Sequence, residues 1–254
     1  MRIVIKVGTS TIAHNTGNLN IRLIEKLCKV ISDLKNSGHE IIFVSSGAVA
    51  LGSGKIGVTR DKIGGISAKQ ALASIGQCEL MYIYDKLFSE YNHVVGQILV
   101  TSPDIADEYR CKKFENTLYT LLDLHALPII NENDTVSTEE IEIGDNDTLS
   151  AIIASKINAD ILIILSSIDG LYDKNPSEHA DAKVIKEVRN ITPEICALSY
   201  GKNLLGTGGM DAKIHAAQIA TESGCDMYIA NGNKPELLYD IVDGKSVGTR
   251  FIKK

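Results

Sequence analysis

Two clusters of short polar side chains bracket one loop near the middle of the chain. Asn131-Glu132-Asn133-Asp134 ends a short apolar run, Ile129-Ile130, that opens at Pro128. The run reads as a buried strand, since proline is tolerated at a strand's first residue. Gly144-Asp145-Asn146-Asp147 opens a segment in which Leu149, Ile152, Ile153 and Ile157 recur at helical spacing. Asp145 or Asn146 is placed to cap that helix. Amide and carboxylate side chains at these two places hydrogen-bond small polar ligands and cannot form a core. In open parallel sheets, ligands sit at the carboxyl ends of strands.

Two lysines add the opposite charge. Lys6 interrupts a strand that is otherwise apolar on both faces, where an unpaired ammonium is costly to bury. Lys213 follows Gly206-Thr207-Gly208-Gly209-Met210-Asp211-Ala212, a glycine loop running into a helix. That arrangement resembles a phosphate cradle in mechanism but lacks the GxxxxGK[ST] spacing. Gly8-Thr9-Ser10, Ser45-Ser46-Gly47 and Ser166 to Gly170 also follow apolar strands directly. Small residues there let a ligand approach backbone N–H groups, and helix amino ends beyond them favour anions. Together these loops outline a cleft for phosphate and carboxylate groups. Gly52-Ser53-Gly54-Lys55-Ile56-Gly57 fits GxGxxG, but no strand precedes it directly and no apolar helix starts from it. The dinucleotide reading is therefore set aside.

The elements that must hold these residues alternate. Strands are expected at Arg2 to Val7, Glu40 to Val44, Val94 to Val100, Ile161 to Leu165, Met227 to Ala230 and Thr249 to Ile252, with a weaker one near Val184. Helices are expected from an Asn20 cap to Gly38, and over Ser67 to Tyr91, Arg110 to His125 and Gly209 to Glu222. Such alternation means βαβ units around a mostly parallel sheet covered on both faces. No linker or repeat divides the chain, so the expectation is one domain over 1–254. Within it, a substrate lobe spans about 1–165 and a nucleotide lobe about 166–254.

Composition excludes several classes. No apolar run approaches a bilayer span, and hydrophobic residues make up 44% of 254. The first residues read as a strand and not a signal peptide, so a cytoplasmic protein with no membrane partner is expected. A net charge of −6 without a basic stripe argues against a nucleic-acid partner. Cys28, Cys78, Cys111, Cys196 and Cys225 are scattered without CxxC or nearby histidine pairs, so they read as reduced residues and not a metal site. The long helices offer a face for a homo-oligomer.

The segments Lys6 to Ser10, Ser45 to Ala48, Asn131 to Asp134, Gly144 to Asp147 and Gly206 to Lys213 occur in that order and nearly fill the chain. They resemble the amino acid kinase family, and within it the branch that phosphorylates glutamate at the first committed step of proline synthesis. The paired NEND and GDND blocks are the specific part. The resemblance implies a three-layer αβα sandwich around a mainly parallel sheet. It also implies ATP as donor, Mg²⁺ with the ATP, L-glutamate as acceptor, γ-glutamyl phosphate as product and proline as inhibitor.

Carried over by position, Lys6 and Lys213 would neutralise the phosphoryl group in flight, and Asp147 would hold their ammonium groups. Ser46, Asp134 and Asn146 would bind glutamate. Lys6, Ser166, Ser167, Thr207, Gly208, Gly209, Met210, Asp211, Ala212 and Lys213 would line the nucleotide site. There are two departures. Family members often carry an acidic residue where Ser167 stands, and many bacterial ones add a small C-terminal PUA domain, so a short form is expected here.

The chemistry agrees independently of the resemblance. A carboxylate acceptor is already ionised at neutral pH, so its phosphorylation needs alignment and charge neutralisation but no general base. None of the six histidines lies in the loops named above. Sibling kinases acting on carbamate, N-acetylglutamate or a nucleoside monophosphate would share the fold and the lysines. A non-catalytic sensing module of the same fold would bind these ligands without turnover.

Overall fold

The computed structural model describes residues 1–58, 64–136, 145–199 and 209–254. In chain order the first half runs β1 (Arg2–Val7), α1 (Thr9–Ile12), α2 (Ile21–Asn36), β2 (Glu40–Ser45), α3 (Ala48–Ile56), α4 (Ile66–Ser89), β3 (Val95–Val100), α5 (Ser102–Ala106), α6 (Glu108–Asp123) and β4 (Leu127–Glu132). The second half runs α7 (Asn146–Lys156), β5 (Ile161–Ser166), β6 (Glu187–Val188), α8 (Pro193–Cys196), α9 (Met210–Glu222), β7 (Asp226–Asn231), α10 (Leu237–Val242) and β8 (Thr249–Phe251).

One sheet organises the chain, with strand order β3-β4-β2-β1-β5-β7-β8-β6. Every neighbouring pair is parallel except β7 with β8. Because side chains alternate along a strand, the sheet feeds two separate cores. Ile3, Ile5, Ile41, Phe43, Ile129 and Ile163 face one side, where they pack with α2 and α4 through Ile24, Leu27, Ile31, Leu80, Tyr84 and Phe88. Val4, Ile42, Val44, Ile130, Leu162 and Ile164 face the other, packed with α6, α7 and α9. The result is the expected three-layer αβα sandwich. The central strand carries Ile3, Val4, Ile5 and Val7, each wholly buried, and full burial of such a side chain contributes about 1.5–3 kcal/mol.

Local signals explain most boundaries. Asn20 accepts a hydrogen bond from the Leu23 amide and starts α2. Gly38 follows α2 with φ +88°, the left-handed conformation that glycine supplies after a helix. The expected strand near Val184 reduces to a single bridge between Tyr172 and Val184, and β6 forms just beyond it.

The GxGxxG stretch lies inside α3, as packing and not as a nucleotide loop. A Cβ on Gly52 would meet the Leu72 carbonyl oxygen at 2.0 Å, and one on Gly76 would meet that of Ala48 at 1.7 Å. Helices α3 and α4 therefore cross backbone to backbone. Cys28, Cys111 and Cys225 are buried, Cys196 half-buried and Cys78 exposed, all as free thiols. No helix among the described residues is long and apolar enough to cross a membrane.

Candidate active site

Parallel pairing of β1 with β2 and β5 brings the carboxyl ends of these strands to one edge of the sheet, beside that of β4. Alternation turns Lys6 to the same side as Val4, the side covered by α7 and α9. Val44 and Ile164 flank it in register. The buried ammonium finds its counter-charge on α7: Lys6 Nζ lies 2.5 Å from Asp147 Oδ1. Lys213, on the first turn of α9, donates to Asp147 Oδ2 at 2.9 Å. All three residues are buried, Asp147 completely.

Burial pushes the Asp147 carboxyl up, but the Lys6 and Lys213 ammonium groups overcome that and hold it below the ordinary carboxylate range. Two cations thus flank one carboxylate at the sheet edge. That arrangement is suited to an incoming anion.

Asp145 fixes the turn that carries Asp147. Its carboxylate accepts hydrogen bonds from the Asp147 amide at 2.7 Å and the Thr148 amide at 2.8 Å, a cap of the kind that contributes about 1 kcal/mol. Asn146 precedes Asp147 on the helix, and successive residues project about 100° apart. The Asn146 side chain accordingly serves a different set of partners. Its Nδ2 donates to Ser46 Oγ and to Asn131 Oδ1, both at 2.9 Å.

Asn131 in turn donates from Nδ2 to Gln77 Oε1 on α4 at 2.9 Å. Its Oδ1 also accepts from the Glu132 amide at 2.9 Å. The Asn146 Oδ1 atom is buried and has no hydrogen-bond partner. Leaving such a carbonyl unpaired costs about 1–3 kcal/mol, which a ligand donor would recover.

Ser46 sits where β2 turns into α3, its amide bonded to the Val7 carbonyl at 3.1 Å. Gly47, with φ +104°, makes that turn in a conformation other residues resist. The neighbouring Ser45 hydroxyl shares a 2.7 Å hydrogen bond with the buried Tyr84 hydroxyl. Asp134 lies in the turn after β4, half-buried. It lines a small pocket with Ala48, Ala73, Gln77, Leu99 and Thr135.

The remaining expected residues lie at the ends of β5 and α9. Ser166 is buried at the end of β5, where its carbonyl accepts from the Gly232 amide at 2.7 Å, and Ser167 next to it is exposed. Asp169, two residues on, takes Asn231 Nδ2 at 2.8 Å and the Tyr172 hydroxyl at 3.2 Å. The Asn231 bond, helped by that from Tyr172, holds its carboxyl below the usual range despite partial burial. Gly209 stands at the N-cap of α9 and makes no side-chain cap bond. Met210 is buried, Asp211 exposed and Ala212 half-buried on the first turn beside Lys213. Thr207 and Gly208 lie outside the described residues, as do residues 137–144.

The amino acid kinase family matches residues 1–231. The chain belongs to that family. Among curated relatives, the glutamate 5-kinase of Clostridium perfringens (strain 13 / Type A) is 50% identical over 100% of this chain and 96% of its own. That of Listeria monocytogenes serovar 1/2a is 48% identical over 100% of this chain and 93% of its own. That of Caldanaerobacter subterraneus subsp. tengcongensis is 48% identical over 99% of this chain but 68% of its own length.

Among solved structures, UMP kinase from Ureaplasma parvum superimposes with a TM-score of 0.69 at 16% identity, over 99% of this chain and 98% of that one. Carbamate kinase from Giardia lamblia bound to AMP-PNP gives 0.68 at 17%, over 100% of this chain and 98% of that one. At such identity these two establish the shared fold alone.

In this member of the family, sequence reading picked out Lys6, Ser46, Asp147, Asn146 and Lys213, and the structure brings them together around the first turn of α7. It missed the supporting polar residues Gln77, Tyr84, Ser45 and the Asn131 side chain as a bridge. One signal was available. Gln77 falls between Ala73 and Leu80 on the stripe of α4 that is otherwise apolar and buried, and a buried amide there requires a partner.

Proposed function

We propose that the chain transfers the γ-phosphoryl group of ATP to the γ-carboxylate of L-glutamate, giving γ-glutamyl phosphate and ADP, the first step of proline biosynthesis. The observation that carries this reading is the first turn of α7. Asn146 turns toward Ser46 and Asn131, with an unpartnered carbonyl, while Asp147 turns toward two ammonium groups. An acceptor held by the first set and a phosphoryl group held by the second would meet at one helical turn. The full-length likeness to curated glutamate 5-kinases selects glutamate among the acceptors of the fold.

In this mechanism the glutamate side-chain oxygen forms a bond to the γ-phosphorus as the bridging P–O bond to ADP breaks. No proton need move, because the nucleophile is already a carboxylate. Lys6 and Lys213 offset the charge on the phosphoryl oxygens, and Asp147 holds both ammonium groups in place. Ser46, Asp134 and Asn146 bind glutamate. Lys6, Ser166, Ser167 and the segment from Thr207 to Lys213 bind the nucleotide. This divides the chain into an acceptor lobe before about residue 165 and a nucleotide lobe after it.

No cluster of three metal-ligating side chains occurs among the described residues, and both Asp147 oxygens face ammonium groups. Mg²⁺ would enter on the ATP phosphates, where it would neutralise part of their charge. We place the reaction in the cytoplasm, where both substrates are metabolites, with proline as inhibitor and the chain as a homo-oligomer.

The product decides the reading. Hydroxylamine should trap a hydroxamate that depends on both ATP and glutamate, because an acyl phosphate reacts with it and a phosphomonoester does not. ADP release with carbamate, N-acetylglutamate or UMP in place of glutamate, and no hydroxamate with glutamate, would assign a sibling kinase. Ligand binding with no ADP release would assign a sensing module.

A further inference from the structure

We propose that Gln77 is a positioning residue of the acceptor site, holding the Asn131 amide in the place from which it orients Asn146. The inference rests on the glutamate reading above. An amide side chain has a carbonyl that only accepts and an NH₂ that only donates, so one fixed neighbour decides its orientation. The Glu132 backbone amide can only donate, so it fixes Asn131 Oδ1 toward itself, and Gln77 Oε1 secures the opposite face by accepting from Asn131 Nδ2. Held at both ends, Asn131 Oδ1 also receives Asn146 Nδ2. Asn146, committed through Nδ2 to Asn131 and Ser46, is left with its carbonyl unpaired and buried.

The chain of orientation therefore runs from the β4 backbone, braced by α4, to the first turn of α7. It ends on an acceptor suited to an ammonium, a group that only donates. With the opposite orientation, Asn146 would present NH₂ to the ligand, and two donors would face each other. Gln77 also lines the pocket that contains Asp134, so it sits beside a proposed glutamate-binding residue without being one. Its neighbours on the buried face of α4 are Leu72, Ala73, Leu80, Tyr84 and Phe88. Only Tyr84 among those carries another polar group, and that one is bonded to Ser45.

The readout is discrimination between glutamate and glutarate, which has both carboxylates but no amino group. The wild-type chain should prefer glutamate strongly in kcat/KM. Gln77→Met keeps the size but removes the carbonyl. It should raise the glutamate KM about tenfold or more, leave the ATP KM within about twofold, and reduce the glutamate-over-glutarate preference by a similar factor. Gln77→Glu keeps an acceptor oxygen and should restore most of the preference.

A structural role would lower kcat/KM for both acceptors alike, and Gln77→Glu would rescue neither. That pattern, or an unchanged preference in Gln77→Met, overturns the proposal. Wild-type protein that phosphorylates neither acceptor sinks the glutamate reading itself, which separates the two failures.

Discussion

Lys6 and Lys213 approach opposite oxygens of the Asp147 carboxylate, one at 2.5 Å and the other at 2.9 Å. They arrive from different layers of the fold, Lys6 from the central strand and Lys213 from a helix packed over it. A single buried carboxylate thus ties the sheet to α9 through the first turn of α7. An anion that reached the site between them would meet both ammonium groups at once.

Replacing either lysine should therefore cost catalysis more than binding. Lys213→Ala is expected to reduce kcat by roughly 10²-fold or more, as the loss of a preorganised donor does. Lys6→Ala should behave alike. The double variant should lose much less than the product of the two, because both act on one group. Steady-state assays with saturating ATP and glutamate measure this, and a near-normal kcat in Lys213→Ala would remove that residue from the mechanism.

The same triad links stability to pH. Asp147 has a carboxyl held below its unfolded value, so its contribution is fully present above about pH 4 and is lost as pH falls through the lower, folded value. Asp147→Asn leaves two buried ammonium groups facing a neutral amide. Breaking a buried pair in this way costs about 3–5 kcal/mol. Urea unfolding at pH 7 should show that loss. As pH falls below about 4, the gap between wild type and variant should narrow, because the unfolded wild-type chain takes up a proton at Asp147 that the folded chain still excludes. A gap of constant size as the pH falls would contradict the assigned shift.

What the sequence made legible follows from how local each signal is. The buried strands stand out as short apolar runs, and Asp145 stands out as a cap because its carboxylate satisfies amides only two and three residues away. Lys6 was conspicuous for being charged within such a run. Helix α3 was not legible. Its Gly52 and Gly54 are poor helix formers, and they are tolerated because α4 and Gly17 press against them, a contact that no local pattern encodes. The link from Gln77 to Asn131 was hidden likewise, since it joins residues 54 apart in sequence. Antiparallel β8 is three residues long and carries too little pattern to fix its direction.

The α3–α4 crossing yields a prediction of its own. A methyl at Gly76 would sit 1.7 Å from the Ala48 carbonyl oxygen and 2.5 Å from the Gly52 amide nitrogen. Both are backbone atoms, so the helices themselves must separate. Gly76→Ala should lose about 3 kcal/mol, the upper part of the range for overpacking. It should also raise the glutamate KM, because α3 begins next to Ser46. Gly64→Ala, where nothing lies within 4 Å, is the control and should change neither thermal midpoint nor KM. Equal behaviour of the two variants would mean the crossing is not as tight as described.

The last prediction concerns inhibition by proline. Asp134 lies in the turn that leaves β4, beside Asn133, whose side chain accepts a hydrogen bond from the Thr135 hydroxyl. It shares the small pocket with Ala48, Ala73 and Gln77. The chain leads from there into the segment carrying Thr138, Glu139, Glu140 and Glu142, which lies outside the described residues. Proline has a charged amino group and an α-carboxylate placed much as in glutamate, but no side-chain carboxylate to phosphorylate. If both ligands place their ammonium against Asp134, each gains a charge-assisted hydrogen bond worth about 1.5–3 kcal/mol, or about a ten- to hundredfold in affinity. Asp134→Ala should then raise the glutamate KM and the proline inhibition constant by comparable factors. The ATP KM should stay near its wild-type value, since Asp134 belongs to the proposed acceptor-binding set and not to the nucleotide-binding one. Initial rates over a grid of glutamate and proline concentrations test this directly. A glutamate KM that climbs while proline inhibits as before would mean that proline occupies a separate site, because a shared contact cannot be lost by one ligand alone.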